Sequence, residues 1–194
     1  MAQSRSDDLI DTAVGRVNRE GYHATGIDRI LAESGVAKMT LYKHFKSKND
    51  LILATLLRRD ERWLVWFRRA LEKHARNHQG PGAPLMAVFD ALEEWFASKE
   101  FFGCMFIKAA AEYPDMDDPI HAAAALHHRN IMAELRQLAE RAGAKRPARL
   151  AREIMLLIEG AIAVTQVNGA SVGAAREAAR VAQMLIDQAI QPDA

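Results

Sequence analysis

Gly35-Val36-Ala37-Lys38-Met39-Thr40-Leu41-Tyr42-Lys43-His44-Phe45-Lys46-Ser47-Lys48 is the stretch from which the rest of this chain can be read. On a helix beginning near Ala37, Leu41 and Phe45 share one face at i and i+4, while Lys38, Met39, Thr40, Tyr42, Lys43 and His44 point away from it. Lys38, Lys43, Lys46 and Lys48 bring four positive charges with no acidic residue among them, and Thr40, Tyr42 and His44 add hydrogen-bonding tips. A helix anchored by one side and basic on the other is suited to a polyanion.

The residues upstream decide what kind of helix this is. Thr25-Gly26-Ile27-Asp28 reads as a capping box opening a short helix, whose apolar positions Ile27, Ile30 and Leu31 repeat at helical spacing until Gly35 stops it. Two short helices joined by a Gly-containing turn, the second one basic, form a helix-turn-helix whose second helix would enter the major groove of double-stranded DNA. An ordinary helical hairpin with a solvated lysine face would give the same generic pattern.

The run from Thr25 to Leu51 holds Gly35-Val36, Thr40-Leu41-Tyr42, Phe45 and Ser47-Lys48 in a fixed register, and in this it resembles the DNA-binding domain of TetR/AcrR-type transcriptional regulators. The resemblance is specific over residues 1–50 and architectural beyond them. It implies roles in DNA contact for Thr40, Tyr42 and Lys48, with Tyr42 and Lys48 on phosphates; Thr25 and His44 are further candidates for DNA contact. Lys38, Met39 and Lys43 are assigned nearer the base edges from their places on the helix. Many members of the family carry Ser where this chain has Ala37, a small residue or Gly at Met39, and Ala-Gly where it has Ser34-Gly35. Without the Ser, the reading helix has no side-chain N-cap, a difference of roughly 1 kcal/mol in helix stability.

The chain has 194 residues, 49% of them hydrophobic, and no low-complexity tract, so it can bury a full core in one or two domains. Its formal net charge is only +1, so affinity for nucleic acid must come from a local patch. Met1 to Asp8 is polar, and no stretch of about 18 apolar residues runs without a charge; no signal peptide or membrane span is expected, and the expected location is cytoplasmic. The one cysteine, Cys104, excludes an internal disulfide and a cysteine-based zinc site.

The remaining periodicities are helical throughout, which predicts an all-α fold of about nine helices. A first helix is expected from about Ser6 to Glu20, carrying Leu9, Ile10, Ala13, Val14 and Val17. Ser47-Lys48-Asn49-Asp50 opens a fourth helix expected to persist to about His78, with Leu51, Ala54 and Leu57 on its apolar stripe. Its arginines and lysines, interleaved with Asp60, Glu61 and Glu72, fit a solvated connector better than a second nucleic-acid patch. Gly80-Pro81-Gly82-Ala83-Pro84 breaks the chain. Helices follow over Leu85 to Ser98 and Phe101 to Tyr113, then from Asp118-Pro119 towards Ala142, from Pro147 to Asn168, and from Ser171 or Gly173 to Ile190. The expected domains are a helix-turn-helix DNA-binding domain over 1–50 and a ligand-binding and dimerisation domain over 51–194.

The last two helices have more apolar surface than one core requires. Leu150, Ile154, Leu157, Ile158, Ala161, Ala178, Val181, Ala182 and Leu185 are the candidate dimer contacts, and in the family resembled these helices form a four-helix interface. A two-fold dimer would place two reading helices roughly 34 Å apart, on successive major-groove faces of a palindromic operator. Large and soft side chains concentrate in the middle of the sequence, among them Trp63, Trp66, Phe67, Phe89, Trp95, Phe102, Met105, Phe106 and Met132. Rings and methionines at helical spacing are ordinarily core; the resemblance implies an apolar cavity here, and so a small hydrophobic effector walled by these residues.

Three other constellations bear on chemistry. His121, His127 and His128 with Glu112, Asp115 and Asp117 hold no i, i+4 histidine pair, so neither a metal nor another cofactor is expected. Cys104 reads as a buried small hydrophobe, with no resolving thiol and no evident basic neighbour in sequence. No phosphate loop, nucleophile elbow or acid/base pair is recognisable, so no catalysis is expected. These observations together predict a homodimeric transcriptional regulator, a repressor released by its effector; the alternative is a helical carrier or enzyme that keeps the fold without operator binding.

Overall fold

A computed structural model describes residues 4–190, and every described element is helical. The helices are α1 (Arg5–Glu20), α2 (Ile27–Ser34), α3 (Lys38–His44), α4 (Lys48–His74), α5 (Ala83–Phe96), α6 (Met105–Glu112), α7 (Pro119–Arg141), α8 (Pro147–Asn168) and α9 (Ala174–Ile190). Short 3₁₀ turns at Ala75–Asn77 and Ala170–Val172 precede α5 and α9. The chain forms two compact units. One is Met1–Trp63 with Cys104–His128; the other is Leu64–Gly103 with Arg129–Ala194.

In the first unit α1 packs against α2 and α3 through Leu9, Ile10, Ala13 and Val17, the stripe its periodicity predicts. Ser4 caps α1 by accepting from the Asp7 amide. Arg16 braces α1 to α2 by pairing with Glu33, and Arg29 of α2 reaches back to Glu20. Gly35 ends α2 with φ at 65°, the left-handed conformation that the tight turn into α3 requires, and its N–H donates to the Leu31 carbonyl. Leu41 and Phe45 are buried, so α3 is seated by the two residues that its i, i+4 spacing singles out. No side chain caps α3 at Ala37, as the missing Ser predicts.

Several boundaries differ from expectation for local reasons. Thr25 does not cap α2: the N-cap is Gly26, without a side-chain bond, and the Thr25 hydroxyl donates instead to the Gly21 carbonyl at 2.7 Å, closing the turn after α1. On α4 the Ser47 cap is formed, accepting from the Asp50 amide. The buried positions at its start are Leu51, Ile52, Thr55 and Leu56, and Leu57 is exposed, because the stripe lies one residue off the predicted line. Pro84 falls inside α5 in its first turn, where a missing N–H costs nothing. The helix expected from Phe101 begins only at Met105, since Gly103 takes φ of 91° and a Cβ there would meet the Gln166 side chain at 2.2 Å.

In the second unit α9 packs against both α8 and α5. Leu85, Val88, Phe89 and Leu92 of α5, with Leu150, Ile154 and Ile158 of α8 and Ala182 and Ile186 of α9, make its core. The backbone of Lys145 donates to the Ala189 carbonyl, tying the α7–α8 turn to the end of α9.

Candidate nucleic-acid interface and effector region

The reading helix presents a strongly asymmetric surface. With Leu41 buried, Lys38, Met39, Tyr42, Lys43 and His44 are all exposed, Met39 at 87% and Tyr42 at 47%, and Thr40 is half-buried. Lys38 stands 3.7 Å from Asp28, a pair open to solvent on both sides and worth little to stability. Lys48 is the half-buried cation of the set: its ammonium donates to the His23 carbonyl at 3.2 Å, and burial pulls its pKa down from the usual lysine range. Thr25 differs from the others. It is buried with its hydroxyl occupied at Gly21, so this side chain supports the turn and presents nothing to a ligand.

Arg58, Arg62 and Arg68 of α4 are engaged within the protein. Arg58 pairs with Asp7 and Asp11, and Arg62 with Asp11, joining α4 to α1. Further along, Arg68 pairs with Glu134 and Lys73 with Glu94. Carboxylates already neutralise these cations, which fits a connector and leaves α3 as the basic surface of the first unit.

A latch joins α6 to the turn between α1 and α2. The Glu112 carboxylate accepts from the backbone N–H groups of Tyr22 and His23, at 2.9 and 2.6 Å, while its carbonyl lies 2.9 Å from His23 Nε2. The Tyr22 hydroxyl donates to the Met105 carbonyl at 2.8 Å, and the Lys108 ammonium to the Asn18 carbonyl at 3.0 Å. Composition and spacing gave no sign of this latch, because Tyr22 and Glu112 stand far apart in sequence and neither belongs to a local pattern. Lys108 also lies one turn after the buried Cys104, a basic neighbour that the sequence reading missed.

The aromatic candidates divide between the units. Trp63, Met105 and Phe106 belong to the first; Trp66, Phe67, Phe89, Trp95, Phe102 and Met132 belong to the second. Trp63 and Phe106 come together around His127. Trp95 meets Phe101 edge to face at 5.0 Å, with Phe96 completing that cluster. Phe67 and Phe89 are fully buried, whereas Phe102 is exposed, because Gly103 takes the chain out of the helical path that would have turned this ring inward.

On α8 and α9 the candidate contacts separate by burial. Leu150, Ile154, Ile158, Ala161, Ala178 and Ala182 are buried within the protomer, Leu157 and Leu185 are half-buried, and Val181 is exposed. The first six are therefore core of this chain. The apolar face left open consists of Leu156, at 70% exposure, with Val164, Val167, Val181 and Met184. A groove of about 320 Å³ lies between Arg149, Glu153, Leu185 and Gln188.

Among the described residues, no group of three or more His, Cys, Asp or Glu side chains is placed to hold a metal ion. His74 and His78, an i, i+4 pair that the sequence reading passed over, are engaged with carboxylates: His74 Nε2 lies 2.7 Å from Glu94 and His78 Nε2 2.9 Å from Asp90. Glu94 has its pKa lowered by the Lys73 ammonium and then by His74. No helix among the described residues is long and apolar enough to cross a membrane.

Comparison with known proteins agrees with this geometry. Residues 9–55 match the family described as bacterial regulatory proteins, tetR family, and residues 81–182 match the tetracyclin repressor-like C-terminal domain. The HTH-type transcriptional activator FasR of Mycolicibacterium smegmatis is 42% identical over 73 residues, a match that takes in 38% of this chain and about a third (33%) of FasR. The HTH-type transcriptional regulator YjdC of Escherichia coli is 22% identical over 162 residues, covering 84% of this chain and 83% of that protein. Among solved structures, the TetR-family regulator SCO4454 of Streptomyces coelicolor superposes with a TM-score of 0.84 at 28% identity, over 97% of this chain and 98% of that one. These proteins are named as regulators of transcription and not as enzymes. An exposed basic second helix on a buried apolar anchor, carried by an all-helical chain that both family descriptions match, places this protein in the TetR family of transcriptional regulators, with a DNA-binding helix-turn-helix at its N-terminal end.

Proposed function

We propose that this regulator is a cytoplasmic homodimer that represses transcription from a palindromic operator and is released from it by a small hydrophobic effector. The observation that carries the DNA half is the α3 surface: Lys38, Met39, Tyr42, Lys43 and His44 are exposed together on a helix whose other face is buried. Lys48 and Tyr42 supply the phosphate contacts, while Lys38, Met39, Thr40 and Lys43 stand nearer the base edges. Residues 1–50 read DNA, and 51–194 receive the effector and dimerise. The dimer rests on the open face of Leu156, Val164, Val167, Val181 and Met184, with Leu157 and Leu185 at its edges. An apolar surface of this kind is what a two-fold partner buries.

Release requires that the effector bind two conformations of the dimer unequally. A preference of about 3 kcal/mol for the DNA-incompetent state weakens operator affinity roughly a hundredfold. The Glu112 latch supports a route for this, since any displacement of α6 is felt by two backbone N–H groups in the turn that precedes α2. One observation favours a second reading of the sign: FasR, which shares 42% identity with this chain over 73 residues, is named an activator.

The test is recovery of genomic DNA fragments by the purified full-length protein, followed by titration of apolar compounds against the recovered site. A single enriched palindrome, weakened by an effector that operator DNA weakens by the same factor in return, is the expected result. Absence of any enriched site removes the proposal. Transcription that falls on deletion of the gene replaces repression with activation.

A further inference from the structure

Among the described residues the most exposed large apolar side chain is Met39, at 87%, and it stands on α3 among cations. Its direction is set by Leu41, which is fully buried and fixes which side of α3 is turned to the first unit. At about 100° per residue, Met39 and Lys43 fall about 20° to either side of the line opposite Leu41. Thr40 and Tyr42 fall about 80° from that line, and Lys38 and His44 about 120°. The crest of the reading helix is therefore one thioether side chain and one ammonium. Exposure follows the same order on one flank, where Thr40 is half-buried while Met39 and Lys43 are open. A thioether carries no charge and is only a weak acceptor, so phosphates offer it nothing. In the major groove the base edges present polar donors and acceptors, together with one apolar group, the C5-methyl of thymine. An apolar side chain carried deepest into that groove finds its match there; against any other edge it strips water from a polar group and gives nothing back.

We infer that Met39 specifies a base: its side chain packs on the C5-methyl of a thymine in each half-site of the operator. The inference rests on the operator-binding reading proposed above and names what one residue of that surface recognises. A rise of about 1.5 Å per residue puts Lys43 roughly 6 Å further along α3, so the ammonium falls within about two base pairs of that thymine. Thr40, the other methyl-bearing side chain of this surface, lies on the half-buried flank, and the deeper contact falls to Met39.

The test begins with a random-sequence duplex library selected on the full-length protein. The enriched site is then resynthesised with each thymine in turn replaced by deoxyuridine, which removes the methyl and leaves the rest of the base edge intact. One thymine per half-site is expected at which uracil weakens binding about fourfold, the value of one buried methyl group. Met39→Ala shortens an exposed side chain without touching the core, and it should bind the thymine and uracil forms of that position alike. Met39→Leu, apolar and of similar reach, should retain the discrimination. The salt dependence of Met39→Ala should match that of the unaltered protein, since no phosphate contact is lost. Equal affinity for every uracil-substituted site overturns the inference and leaves operator binding in place. So does a uracil penalty that survives Met39→Ala, which gives the methyl to another side chain such as Thr40, and so does a penalty lost in Met39→Leu, which shows that apolar contact is not what reads the base. A library from which no sequence is enriched removes the operator-binding reading itself, and the Met39 inference with it.

Discussion

Lys48 and Thr25 are both candidates for DNA contact in the sequence, and their surroundings separate them. The Lys48 ammonium is held at the His23 carbonyl beside the reading unit, a fixed positive charge at the start of α4. Lys48→Ala is expected to weaken specific and non-specific DNA about equally and to flatten the dependence of log K on log salt by roughly one unit. An unchanged slope in a salt titration would move the phosphate role to Lys43 or Lys46. Thr25→Val instead removes the bond to the Gly21 carbonyl from a buried site. It should lower stability by about 1 kcal/mol in denaturant unfolding and leave the salt slope alone. His127 bears on stability through pH. Burial holds its folded pKa below the ordinary histidine value of about 6.5, so the unfolded chain takes up the proton first. Stability is therefore full above that value and is lost as pH falls through the window beneath it. Unfolding midpoints measured across that window should fall for the unaltered protein and fall less for His127→Phe.

At the scale of elements, the latch between α6 and the α1–α2 turn is where one helix can act on another. Glu112 offers one carboxylate to two backbone donors, and Gly21 is pressed close enough that a Cβ there would lie 2.9 Å from Glu112 Oε1. Glu112→Ala should leave the Tyr22 and His23 amides without their acceptor. The cost is about 1 to 2 kcal/mol for bonds to a charged group that water partly reaches. Hydrogen exchange at these two amides is the sharpest readout, because opening of the turn raises it while the rest of α1 stays protected. The same variant tests coupling: with the latch gone, an effector should still bind, but its effect on operator affinity should shrink. Full retention of that effect would show that the signal travels by another route.

For the whole molecule, assembly separates two classes of apolar residue on α8. Leu156 is 70% exposed in the protomer and Ile154 is completely buried, although they are only two positions apart. Leu156→Asp is expected to yield a folded monomer, since its charge stays solvated until a partner arrives and would then bury it at a cost of several kcal/mol. Ile154→Asp places the charge in the protomer's own core and should unfold the chain. Sedimentation distinguishes these outcomes, and a dimer that persists in the Leu156 variant would move the interface away from this face. The monomer should also lose operator affinity, because one reading helix alone cannot span two half-sites.

The helical periodicities, the Gly35 turn and the buried pair of Leu41 and Phe45 were legible in the sequence because each depends on residues within a turn or two of one another. So were the uncapped start of α3 and its basic face, both fixed by side-chain type and the 3.6-residue repeat. The same local rules failed where a distant partner competed. The Thr25 hydroxyl found the Gly21 carbonyl in place of a helix N-terminus; Gly103, pressed against Gln166, delayed α6 and left Phe102 outside; Leu57 fell off a stripe that the packing shifted by one residue. On α8 and α9 the sequence determined that apolar surface was in excess, since composition counts such side chains without regard to direction. Only tertiary packing decided which of them form the core, because that depends on where the neighbouring helices lie. The Asp60–His127–Phe106 stack belongs wholly to the tertiary structure. Its members come from three helices, and the ring stack and the contact to Asp60 form only once those helices meet.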